Sequence, residues 1–178
     1  MFYEPGKTDH GLPKNPFNSL IIPRPIGWIS SVDKNGIVNL APYSFFNAVS
    51  YRPPIVMFSG SRGISSLTDT HKDSQRNIEE TREFICNLTT WDTREAMNTT
   101  AAGVAHDVDE LSLAGLTAEP GQCVDVPRVA EAPVHLECRY IKTTELPGDT
   151  PNDVYCVVFG QVVGINIKDE FITGDGEI

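Results

Sequence analysis

The 178-residue chain contains no uninterrupted apolar stretch near the roughly 20 residues that a membrane-spanning helix requires. Its first residues, "MFYEPGKTDHGLPKNP", lack a basic region followed by an apolar run, so nothing there reads as a secretory signal. Positive charge is also scarce: 14 Lys and Arg stand against 24 Asp and Glu, a formal net charge of −10. Sequence-independent nucleic-acid binding needs a basic surface that displaces counterions, so nucleic acid is excluded as a partner, and an anionic membrane surface with it. A small anionic ligand survives this argument, because one lysine or one helix N-terminus holds a phosphate whatever the net charge. Cysteine is sparse and scattered. Cys86, Cys123, Cys138 and Cys156 form no CxxC pair, and three lie inside strand-like segments. Reduced thiols and a cytoplasmic location are therefore expected.

Several catalytic signatures are missing too. There is no GxSxG, no GxGxxG and no GxxxxGK[ST], which argues against a hydrolase elbow, a Rossmann turn and a P-loop. The four histidines, His10, His71, His106 and His135, are far apart and form no HxxxH or HExxH pattern, so no metal site is expected. His135 falls on the polar face of a strand and reads as a surface residue.

What is present fits one soluble domain over residues 1–178, with an apolar fraction of 40% and an irregular lead-in over 1–23. "GWISSV" and "IVNLA" read as strands joined by "DKNG", whose Asn35-Gly36 pair is a strong hairpin signal. "SFFNAVSY" and "PIVMFSG" follow, separated by "RPP". "KDSQRNIEETRE" predicts an exposed helix capped at Asp73 or Ser74, and "FICNLTT" a further strand. Asp92 and Glu95 resemble a capping box opening a helix over "DTREAMNTTAAGV". Residues 105–133 read mainly as loop, with a short helix or strand in "DELSLAGLT". "VHLECRY" alternates with period two, and "VYCVVFGQVVGINI" is apolar on both faces, as a central strand or a subunit interface would be. Gly160 and Gly164 within it suggest bends. The expected fold is mainly β: an antiparallel barrel with helices on its outside.

Two segments carry chemistry. In "RPIGWISSVDKNGIVNLAPYSFFNAVS", Trp28, Tyr43, Phe45 and Phe46 stand among Ser30, Ser31, Ser44 and Asn47. In "THKDSQRNIEE", Lys72, Ser74 and Asn77 surround a predicted helix N-terminus, where unpaired N–H groups and the helix dipole favour an anion. Taken singly, the first reads equally as barrel core and the second as an ordinary surface helix. Together they describe a slot for a flat ring with a phosphate tail, which FMN fits.

These two blocks resemble the flavin reductase-like, FMN-binding split-barrel family, and the likeness extends to "DELSLAGLT" and the final strand. The resemblance implies a six-stranded antiparallel split barrel with Greek-key topology, a homodimer, and FMN bound near the subunit interface. It implies that Ser44, Phe45, Phe46 and Asn47 line the flavin and that Ser59 lies beside the ring or ribityl chain. It places Lys72, Ser74 and Asn77 at the phosphate, Trp28 by the isoalloxazine with its indole N–H on offer, and His106 near the flavin. One of Phe45 and Phe46, as strand neighbours, packs inward. No side chain is nominated as catalytic, because hydride passes from the nicotinamide of NADH or NADPH to flavin N5. The implied activity is an NAD(P)H-dependent flavin reductase serving a monooxygenase or other acceptor. A flavoredoxin-like carrier fed by a protein partner, and a small-molecule-binding barrel without the cofactor, stay as alternatives. Relatives run on into a C-terminal segment near the site, whereas this chain stops at "FITGDGEI", so residues from such a segment are not assigned.

Overall fold

The computed structural model describes residues 1–62, 72–150 and 153–178; His71 lies outside them. After a short helix α1 (Phe17–Leu20) come β1 (Gly27–Val32), β2 (Val38–Tyr43), β3 (Phe46–Tyr51) and β4 (Pro54–Arg62). Next are α2 (Asp73–Thr81), β5 (Glu83–Leu88), α3 (Arg94–Thr99), α4 (Glu110–Leu113), β6 (Ala118–Pro120) and β7 (Pro127–Val129). Two long strands, β8 (Val134–Pro147) and β9 (Val154–Ile167), and a 3-10 turn (Asp169–Phe171) complete the order. The main sheet runs β2-β1-β5-β8-β9-β4-β3 with every pairing antiparallel, and β6 and β7 form a separate hairpin.

Strands β2 and β3 stand at opposite edges of that sheet, yet only Ser44 and Phe45 separate them in the chain. One bent ribbon therefore serves both edges and rolls the sheet into a split barrel. The bend is held by the Ser59 N–H, which donates to the Phe45 carbonyl at 2.8 Å. Counting the ribbon once, the seven strands become the six that the resemblance implies. The β1–β2 turn takes a left-handed φ (+87°) at Gly36, while Asp33 Oδ1 accepts the N–H groups of Asn35 and Ile37 at 2.8 Å each.

The barrel interior holds Ile29, Tyr43, Val56, Phe58, Phe84, Cys86, Cys138, Val158 and Val162, and α2 plugs one end with Ile78. Alternation sends the intervening β1 residues to the outer face, which is not solvent. There Trp28 and Leu40 pack with Leu111, Val129 and Ala132 under α3, α4 and the 127–133 segment. Ser30 Oγ donates to the Pro127 carbonyl at 2.7 Å, and Asn87 Oδ1 accepts the Val129 N–H at 2.9 Å. His135 is buried by the same layer, with Nε2 2.8 Å from the Val129 carbonyl, so the expectation of a surface histidine is corrected.

Two carboxylates pin the loop that covers β5 and β8. Buried Glu137 accepts the N–H groups of Gln122, Cys123 and Val124, and Glu83 accepts that of Asp125 at 2.8 Å. None of the four cysteines is in a disulfide; Cys86, Cys138 and Cys156 are buried and Cys123 is exposed.

Helix boundaries differ from the sequence reading in two places. Lys72, in an extended conformation, is the N-cap of α2, one residue before the expected cap. Helix α3 starts at Arg94 behind Thr93, and Asp92 caps nothing. Bends in the last hairpin arise where the β8–β9 register shifts, between Glu137 and Cys138 and between Tyr140 and Lys142. Both shifts fall at the expected glycines, Gly164 opposite Glu137 and Gly160 opposite Tyr140, and Gly160 also makes room: a Cβ there would collide with the Phe84 ring.

Close approach also explains Gly27, where a Cβ would stand 2.5 Å from the Phe46 ring. Gly27→Ala should cost about 1–3 kcal/mol through overpacking. Urea unfolding followed by tryptophan fluorescence reads this, and an unchanged midpoint would show that Phe46 is free to swing aside.

Candidate functional site

The ribbon bend and the start of α2 meet at one end of the barrel. Tyr43, Phe58, Gly60, Lys72, Gln75, Cys156 and Val158 line a shallow cleft there. Ser44 and Phe45 follow Tyr43 directly, and Ser59 lies between Phe58 and Gly60. Tyr43 of the aromatic segment and Lys72 at the start of α2 thus line one place.

Each expected site residue can be located. Ser44 and Asn47 are exposed, Phe45 and Ser59 are half-buried, and Lys72 is exposed at the helix start. Phe46 turns inward over Gly27 and against the barrel core, while the Arg24 guanidinium stands 5.4 Å from the Phe45 ring centroid. Asn47 Oδ1 accepts the N–H of Ala48 at 2.9 Å, which leaves its amide NH2 outward.

Three expectations are corrected. Trp28 is fully buried on the outer face of β1, and its Nε1–H donates to Thr100 Oγ1 at 2.9 Å, so the indole offers nothing to a ligand. Ser74 is buried and its hydroxyl donates to Asn39 Oδ1 at 2.6 Å. Asn77 is buried against β1, with Nδ2 3.3 Å from Ser31 Oγ and Oδ1 without a partner. Both helix residues face the barrel wall, because α2 must seat its inner side on β1 and β2. The only side chain of that trio directed to solvent is Lys72.

His106 lies beside the helix start, with Nδ1 2.9 Å from Asp73 Oδ1 and Nε2 3.3 Å from Asp33 Oδ2. Arg76 pairs with Asp73 and reaches His106 Nδ1 at 2.7 Å. The Asp73 carboxylate is thus engaged by two neighbours, which limits its repulsion of an anion at Lys72.

The α2 N-terminus fits an anionic group. Lys72 contributes no side-chain cap, so among the described residues no side chain caps the first N–H groups of this nine-residue helix, and the exposed Lys72 stands at their side. Phe45 with Ser44, Asn47 and Ser59 supplies an aromatic and polar rim suited to a flat heteroaromatic ring. The donor set accords with a phosphorylated flavin.

Fold and site together define the class of flavin-handling split barrels. A family model described as "Flavin reductase like domain" matches residues 19–174, and the chain belongs to that family. It is 38% identical over 154 residues to an uncharacterised protein of Aquifex aeolicus, covering 86% of this chain and 74% of that one. Among solved structures it resembles nitrilotriacetate monooxygenase component B from Bacillus cereus, with a TM-score of 0.86 and 30% identity. That match covers 100% of this chain and 86% of the other. It also resembles the 2-nitrobenzoate 2-nitroreductase of Pseudomonas fluorescens, with a TM-score of 0.73 and 28% identity over 87% of this chain and 70% of that one. The fold alone is shared with flavoredoxin of Desulfovibrio vulgaris, at a TM-score of 0.71 and 19% identity, covering 96% of this chain and 81% of the other. Membership of this family makes the chain a flavin-related oxidoreductase.

Sequence reasoning missed Tyr43, Gly60, Asp33, Asn39 and Glu110. A signal existed for Asp33, which opens the "DKNG" turn and is placed to accept its N–H groups. Burial acts to raise the Asp33 carboxyl, but the N–H groups of Ile37 and Asn35, the Asn35 amide and His106 overcome it and lower the pKa to about 2. A depressed folded-state value means that the stabilisation is complete above the ordinary 3.8 and is lost as pH falls towards 2. Asp33→Asn should therefore flatten the acid limb of a stability–pH curve in that window, measured by thermal melts. An acid limb identical to the parent's would show that Asp33 is not the group responsible.

Proposed function

We propose that the protein is an FMN-dependent NAD(P)H:flavin oxidoreductase, a single cytoplasmic domain that supplies reduced flavin to a partner such as a monooxygenase. The observation that supports this reading is that Lys72, at an α2 N-terminus to which it gives no side-chain cap, lines one cleft with Tyr43 and Gly60, the chain neighbours of Ser44 and Ser59. The likeness to a monooxygenase component B supports the choice of partner.

When bound, the flavin supplies the redox chemistry, accepting hydride from a nicotinamide. The chain's own residues bind and orient. Lys72 and the first N–H groups of α2 hold the phosphate, and Ser59 and Ser44 offer hydroxyls along the polar chain. Phe45, steadied by Arg24, lies against the ring, and Asn47 presents its outward NH2 to a carbonyl acceptor on it. His106 keeps Asp73 turned away from the phosphate.

The active form we infer is a homodimer. The outer face of β9 exposes Tyr155, Val163 and Ile165, and β3 exposes Val49 and Tyr51, an apolar surface suited to a second copy. Sedimentation of the full chain should show a dimer; a monomer at micromolar concentration would remove this part of the reading.

Lys72→Ala removes a charge-assisted contact of about 1.5–3 kcal/mol, so FMN affinity should fall by roughly tenfold to a hundredfold. Flavin fluorescence titration measures it, and equal affinity would move the phosphate elsewhere. Anaerobic stopped-flow mixing of the FMN-loaded protein with NADH and NADPH tests the donor. Loss of the visible flavin band within seconds is expected, whereas bleaching only with a reduced protein partner would favour an electron carrier.

A further inference from the structure

The first turn of α2 is held on its solvent side by Asp73 and His106, and on its barrel side by a chain of buried polar groups. Ser74 Oγ donates to Asn39 Oδ1 at 2.6 Å, and Asn39 Nδ2 donates to Glu110 Oε1 at 2.9 Å. The next main-chain N–H, that of Leu40, donates to Glu110 Oε2 at 3.0 Å. Ser74, Asn39 and Glu110 are all buried, and Glu110 sits in the first turn of α4, behind the Asp109 cap.

The chain has a direction, and one end sets it. Glu110 accepts at both oxygens, which uses its ionised form, and an ionised carboxylate has no proton to give. Asn39 must therefore turn its NH2 towards Glu110 and its carbonyl towards Ser74. Ser74 then spends its single proton on Asn39.

We propose that Glu110 is a positioning residue: through Asn39 and Ser74 it seats the first turn of α2 on β2, and so places Lys72 and the helix N–H groups. The effect on FMN rests on the reading of the α2 N-terminus given above; the effect on the helix does not.

Hydrogen–deuterium exchange on the full chain without flavin tests the helix directly. In Glu110→Ala the amides of Arg76–Thr81 should exchange about tenfold faster, while those of β8 and β9 keep their rates. Glu110→Gln should restore the parent rates in α2, because its carbonyl still accepts from Leu40 and its NH2 donates to an Asn39 amide that has flipped. Unchanged α2 exchange in the Ala variant, an equal rise across β8 and β9, or a Gln variant no better than Ala would each overturn the proposal. Titration with FMN and with riboflavin then reads the consequence at the phosphate. The parent's preference for FMN should fall about tenfold in Glu110→Ala, with riboflavin affinity within about twofold of the parent. A parent that binds both equally overturns the phosphate reading and leaves the exchange result to decide on Glu110. A parent that prefers FMN by a ratio the variant keeps overturns the role of Glu110.

Discussion

The hydrogen bond from the Ser59 N–H to the Phe45 carbonyl fastens the one bend on which the architecture depends. Because Val38–Tyr51 is a single ribbon serving both edges of the sheet, the Ser44–Phe45 step decides whether the sheet rolls up or stays open. Residues at such a step cannot pair in an ordinary ladder, so their side chains and some of their polar groups face outward. The candidate site is therefore a by-product of closure. Phe46 is drawn in over Gly27, and Ser44, Phe45 and Asn47 are left at the rim.

The acidic balance of the chain also acquires a structural meaning. Asp33 accepts the N–H groups of the β1–β2 turn, Glu137 and Glu83 those of the 122–125 loop, and Glu110 that of Leu40. Each carboxylate replaces a secondary-structure partner for backbone donors that irregular segments would otherwise leave unpaired. Part of the negative charge is thus spent inside the molecule, holding the outer layer to the barrel. None of it has to be explained by a basic partner.

Much of the barrel was legible because its strands obey local rules: period-two alternation in "VHLECRY", an Asn-Gly turn before "IVNLA", a proline break after Tyr51. That the 44–59 and 72 segments could serve one ligand was read from their complementary chemistry and from resemblance, since no local pattern says which distant elements touch. Trp28 was misread for a definite reason. Alternation shows that it leaves the barrel interior, but not that α3, α4 and residues 127–133 cover the other side. Those covering segments are short and lack a clear hydrophobic period, so a second buried layer leaves little trace in sequence. Ser74 and Asn77 were misplaced likewise, because a polar residue on a mostly polar helix looks exposed until its partner across the chain, Asn39 or Ser31, is known.

The strand order also governs the sequence of assembly during synthesis. Strand β4 pairs with β3 on one side and with β9 on the other, and β9 emerges about 90 residues later. The β3–β4 hairpin must therefore wait, with one long edge open, until the last strand leaves the ribosome. Strand β9 joins β8 to β4 and so closes a sheet whose two edges are already linked by the β2–β3 ribbon. Stability of the candidate mouth is in that sense conferred by the C-terminal hairpin, whose Cys156 and Val158 also line the cleft.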